Sequence, residues 1–176
     1  MRAFIAIELP DEFRHDVAAV SRRLSTTMSG RFLPYESYHV TIAFLGEIGE
    51  AQATDAVCAI EDAAEACLGE VPLKANGLGK FGRASDATLW LGLQRDPGLM
   101  AVADQVRAKL DERGLSYDSH PFLPHISLAR RARLPKGDLP PLAFPVDAQA
   151  ERLTLFKSSL SREGATYKPL HTVRIG

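Results

Sequence analysis

One pattern occurs twice in this chain. A strand-like run from Phe4 to Leu9, a helical stretch and a second strand-like run lead to His39-Val40-Thr41-Ile42. A strand-like run from Thr88 to Leu93, a helical stretch and another strand-like run lead to His125-Ile126-Ser127-Leu128. Phe4 and His39 are 35 residues apart, and so are Trp90 and His125. A duplicated strand–helix–strand unit folded about a pseudo-two-fold axis would set the two tetrapeptides face to face.

The rest of the chain is read around this repeat. Residues 11 to 25 place Phe13, Val17, Val20 and Leu24 near helical spacing. Residues 50 to 68 are rich in Ala and Glu and predict a second helix; residues 97 to 113 predict a third, stopped by Gly114. Residues 25 to 30 predict a loop, as do the glycines at 77, 79 and 82 around Phe81. Pro135, Pro140, Pro141 and Pro145 exclude a helix or central strand between 134 and 145.

A length of 176 residues with 45% hydrophobic content suits one domain spanning 1–176, built from two small lobes that share a core. With 21 basic and 22 acidic residues the net charge is −1, which excludes a protein that coats nucleic acid by charge alone. Any nucleic-acid contact is expected to be local. No run of about 18 apolar residues occurs, so no membrane span is expected. Glu8, Pro10 and Asp11 interrupt the apolar start, which therefore reads as a strand rather than a signal peptide. Cys58 and Cys67 fall about 13 Å apart along one helix, too far for a disulfide. Free thiols suit a reducing, cytoplasmic compartment.

In a strand, alternate side chains share a face. His39 and Thr41 therefore lie together, opposite Val40 and Ile42; His125 and Ser127 lie opposite Ile126 and Leu128. Two such strands face to face make a cleft lined by two imidazoles and two hydroxyls. This set suits displacement at a phosphodiester, where a base is needed on the attacking side and an acid on the leaving side. Imidazole serves either role near neutral pH. The hydroxyls of Thr41 and Ser127 can donate to the non-bridging oxygens, so no metal or cofactor is required. A zinc site from His39, His120 and His125 would lack the usual ligand spacing, and no metal is expected.

Several stretches carry a wider resemblance: Arg2-Ala3-Phe4-Ile5-Ala6-Ile7-Glu8-Leu9-Pro10, Tyr38-His39-Val40-Thr41-Ile42-Ala43-Phe44-Leu45-Gly46-Glu47, and Pro121-Phe122-Leu123-Pro124-His125-Ile126-Ser127-Leu128-Ala129-Arg130. Leu89-Trp90-Leu91-Gly92 and the C-terminal Gly164 and Tyr167 also fit. The chain resembles the 2H phosphoesterase superfamily, and within it the RNA 2′,3′-cyclic phosphodiesterases, historically called 2′–5′ RNA ligases. The resemblance implies a two-lobed α+β fold, each lobe a mostly antiparallel sheet with helices outside and the active site between them. It implies His39 as proton donor to the leaving 3′-oxygen, His125 as proton acceptor from water, and an RNA 2′-phosphate as product. By symmetry, the motifs themselves leave that assignment open. The partner would be an RNA end bearing a 2′,3′-cyclic phosphate, handled by a monomer. This sequence departs from the family pattern at Ser127, where Thr is usual, and at Ala43, where many relatives carry Lys.

Arg130 is a candidate phosphate contact, although strict alternation places it opposite His125 and a bulge would be needed to bring it round. Arg131 and Arg133 extend a small basic rim. Tyr35, Tyr38 and Phe122 are candidates for base stacking or for core packing. Two other readings compete. One is a non-catalytic RNA- or nucleotide-binding module, against which the retention of two proton-transfer groups argues. The other is the same chemistry on a small cyclic nucleotide or a 2′–5′ linkage.

Overall fold

The computed structural model describes residues 1–176. Ten strands and three helices follow in order: β1 (Arg2–Glu8), α1 (Asp11–Ser25), β2 (Ser29–Phe32), β3 (His39–Glu47), α2 (Glu50–Ala66), β4 (Pro72–Leu73), β5 (Ala75–Arg83), β6 (Asp86–Leu93), α3 (Pro97–Glu112), β7 (His125–Arg133), β8 (Ala148–Gln149), β9 (Arg152–Ser161) and β10 (Gly164–Arg174). A 3₁₀ turn at Tyr35–Ser37 leads into β3.

The strands form two four-stranded antiparallel sheets, ordered β10-β9-β1-β3 and β2-β7-β6-β5, with a small β4-β8 pair beside them. This is the two-sheet α+β architecture expected. A single cluster of 39 buried apolar residues runs through both halves. Helix faces contribute Phe13, Val17, Val20 and Leu24 from α1 and Leu99, Val102, Val106 and Leu110 from α3, the stripe that a 3.6-residue period dictates. Asp96 caps α3 by accepting from the Gly98 N–H, and Pro97 starts the helix where no N–H is needed. Each crossover helix reaches the sheet of the other unit: α1 meets β2, and α3 meets β3.

Three expectations need correction. The expected loop over 25–30 ends early: Ser29 and Gly30 already belong to β2, which pairs with the outer side of β7. The glycines around Phe81 do not mark a loop either, because β5 runs through them and pairs with β6. Gly79 is in that strand because the Trp90 indole lies over it: a Cβ there would run into the indole carbons. Gly92 makes room for the same ring, since a Cβ there would stand 3.1 Å from Trp90 Cζ3. Finally, the equal 35-residue steps do not join equivalent positions. Trp90 stands opposite Ser127, whereas the residue opposite Thr41 is Ala6, not Phe4. β1 pairs with β3 as β6 pairs with β7, and the residues that face the two motif hydroxyls are Ala6 and Trp90.

The packing at Gly79 gives a direct test. Gly79→Ala is expected to cost about 1–3 kcal/mol by overpacking against the indole, read as a lower midpoint in urea unfolding with unchanged slope. An unshifted midpoint would mean that the ring moves aside freely.

Candidate active site

Both tetrapeptides open their strands, His39 on β3 and His125 on β7. Burial follows the alternation: Val40, Ile42, Ile126 and Leu128 are buried, while His39, Thr41, His125 and Ser127 keep partial solvent access. The four polar side chains line one cleft between the sheets together with Arg130. Two cavities of about 500 Å³ meet there, sharing Thr41, Phe44, Phe81, Asp118 and His125.

A shared irregularity completes each motif. In β3, Ala6 stands opposite Thr41 and Ile5 opposite Ala43, so Ile42 is an extra residue. In β7, Trp90 stands opposite Ser127 and Leu89 opposite Ala129, so Leu128 is the extra residue. A β-bulge therefore falls on the fourth residue of both tetrapeptides, and it shifts the alternation by one. The residue five places after each histidine is thereby turned onto the cleft face: Phe44 in one copy and Arg130 in the other. This is the bulge that Arg130 required. Arg131, next along, takes φ 52°, a left-handed conformation uncommon for a side-chain-bearing residue. Its guanidinium pairs with Asp86 at 3.2 Å, turned away from the histidines.

Each imidazole is oriented by the backbone two residues before it. His125 Nδ1 donates to the Leu123 carbonyl at 2.6 Å, which leaves Nε2 as the free acceptor. A backbone hydrogen bond with Ser37 acts on His39. His39 Nε2 then accepts from the Thr41 hydroxyl at 2.9 Å.

Aromatic walls enclose both rings. Phe4 stacks on His39 with centroids 4.9 Å apart, and Tyr167 meets it edge-on at 5.3 Å. Phe81 meets His125 edge-on at 5.2 Å, and Trp90 lies 5.7 Å from it. Such surroundings disfavour the imidazolium. Burial pushes His39 down to about 4; the backbone hydrogen bond with Ser37 opposes this, and the charges of Arg130, His125 and Arg14 add to it. Burial likewise lowers His125, opposed by the Leu123 carbonyl and reinforced by Arg130.

The remaining candidates are placed as follows. Tyr38 is buried, with its hydroxyl donating to the Leu33 carbonyl, and Tyr35 packs beside His15 and Arg14. Neither lines the cleft. Phe122 is mostly buried but borders one cavity. His120 is exposed and pairs with Asp118. No three His, Cys, Asp or Glu side chains converge as a metal site would require. Cys58 and Cys67 are free thiols. The sequence reading missed Phe4, Phe44, Phe81 and Tyr167 as cleft residues. Only the repeat of the bulge exposes Phe44, and only strand pairing exposes the others.

The fold agrees with the comparisons. The chain belongs to the 2′-5′ RNA ligase superfamily, whose family model matches residues 9–161. Among curated proteins it is 28% identical to an RNA 2′,3′-cyclic phosphodiesterase of Thermotoga maritima, covering 97% of this chain and 94% of that one. It is 29% identical to the RNA 2′,3′-cyclic phosphodiesterase of Escherichia coli, covering 96% and 93%. Among solved structures, the crystal structure of E. coli LigT complexed with 3′-AMP superposes with a TM-score of 0.82 at 27% identity, over 99% of this chain and 97% of that one.

Proposed function

We propose that this chain hydrolyses RNA ends bearing a 2′,3′-cyclic phosphate to 2′-phosphomonoesters, by acid–base catalysis between His39 and His125 and without a metal ion. Family membership and the names of the relatives support RNA 2′,3′-cyclic phosphodiesterase activity. The observation that carries the reading is the cleft itself: two backbone-oriented imidazoles, two hydroxyls and one guanidinium lining a single pocket.

The step is a displacement at phosphorus. His125 Nε2 takes a proton from water, whose oxygen forms the new bond to phosphorus. The bond to the 3′-oxygen breaks, and His39 Nε2–H gives its proton to that oxygen. The phosphate stays on the 2′-oxygen. Negative charge on the non-bridging oxygens is met by Thr41, Ser127 and Arg130. Thr41 must turn its hydroxyl from His39 to the phosphate, which frees Nε2 for the leaving group. The phosphate's own charge favours protonation of His39, so substrate binding and arming of the acid are linked.

The test is hydrolysis of an RNA oligonucleotide ending in a 2′,3′-cyclic phosphate, with chelator present. Conversion to a 2′-phosphate is expected. Binding without conversion would overturn the reading in favour of a nucleotide-binding module, and turnover confined to small cyclic nucleotides would overturn the RNA substrate.

A further inference from the structure

We propose that Arg107, on α3, is the positioning residue that holds the two histidine motifs in register with each other. The proposal rests on the function just given and names a device that serves it.

The need for such a residue comes from sheet topology. Ile42 and Leu128 are the bulged residues of the two motifs, and neither has an opposite partner across the ladder. β7 is an inner strand: the chain just beyond β2 runs along it, and the Leu33 N–H donates to the Leu128 carbonyl at 2.8 Å. β3 is an edge strand with no strand beyond it. There the Ile42 carbonyl accepts from both Nε and Nη2 of Arg107, each at 3.2 Å. Next to it, the Phe44 carbonyl accepts from the Asp118 N–H at 2.9 Å. A side chain and a loop thus stand in for the missing strand.

The same guanidinium reaches the other motif. Its Nη1 donates to the His120 carbonyl at 2.8 Å. His120 belongs to the segment that continues through Leu123, whose carbonyl orients His125. Arg107 is held in place by two rings, lying 5.4 Å from the Tyr117 centroid and 6.0 Å from that of Phe122. One planar fork therefore ties the backbone that aims Thr41 and Phe44 to the loop that anchors His125. Lysine cannot reproduce it, because a single ammonium cannot occupy the positions of three nitrogens.

The experiment compares wild type, Arg107→Lys and Arg107→Met on the cyclic-phosphate oligonucleotide, and records the imidazole nitrogen NMR signals of His39 and His125. A misplacement near 1 Å costs about 10²-fold in rate, so kcat is expected to fall by that order in both variants with KM changed less than about threefold. The His125 signals are expected to titrate closer to a free imidazole. Full kcat in Arg107→Lys with a raised KM in Arg107→Met would show a plain electrostatic contact and overturn the proposal. Should Arg107→Lys not fold, Tyr117→Leu loosens one stacking face; unchanged kcat there would overturn it equally. If wild type itself turns over nothing, the functional reading fails, and the NMR signals alone decide the role of Arg107.

Discussion

Replacing either histidine with alanine is expected to lower kcat on an RNA 2′,3′-cyclic phosphate by about 10²–10⁴-fold, the usual worth of one positioned proton transfer. The double variant His39→Ala/His125→Ala is expected to cost little more than either single change, because groups that act as one unit are not additive. The two sites differ in what else is lost. His39 is packed against Phe4 and Tyr167 and accepts the Thr41 hydroxyl. His39→Ala therefore opens a gap in an aromatic cluster and frees that hydroxyl. His125 stands against Phe81 and Trp90 with its Nδ1 bonded to a loop carbonyl, so His125→Ala disturbs the loop end and not the first sheet. Single-turnover assays with matched circular dichroism separate chemistry from folding. Residual turnover within tenfold of wild type in both single variants would place the catalytic groups elsewhere.

The parts legible in sequence were those written locally. Strand alternation fixed which side of His39-Val40-Thr41-Ile42 is apolar, and the second copy made the pattern informative. Helix stripes such as Leu99, Val102, Val106 and Leu110 could be read directly. Bulges have no such signature: nothing in Leu128-Ala129-Arg130 announces an extra residue, and the face of Arg130 depends on it. Glycine misled for a physical reason. At Gly79 it marks close approach of an indole from the neighbouring strand, not a turn, and one strand alone cannot show its neighbour. The aromatic walls come from β1, the β5–β6 hairpin and β10, three places far apart in the chain, so their convergence is a property of the pairing order. Nothing in the sequence singles out Arg107, because its acceptors are main-chain carbonyls that carry no sequence label.

The pH dependence is expected to separate free protein from complex. With His39 near 4 and His125 also lowered, both imidazoles are mostly neutral at pH 7, whereas the reaction needs one protonated and one neutral. The kcat/KM profile, which reports the free protein, is therefore expected to be a bell centred below pH 6.5. The bound phosphate raises the imidazole pKa, so the kcat bell is expected at higher pH. Stability should carry the same signature. A histidine at about 4 in the folded state and about 6.5 unfolded binds protons less well when folded. The unfolded state then holds more protons between those values, so stability is full above about pH 6.5 and falls as pH drops towards 4. A shift of that size corresponds to about 3 kcal/mol. Urea unfolding of wild type and His39→Gln at pH 7 and pH 4.5 measures it. Wild type should lose more stability than the variant across that interval, because glutamine takes up no proton. Equal losses would mean that His39 titrates as a free imidazole, and a kcat/KM profile flat from pH 5 to 9 would rule out the two-histidine mechanism.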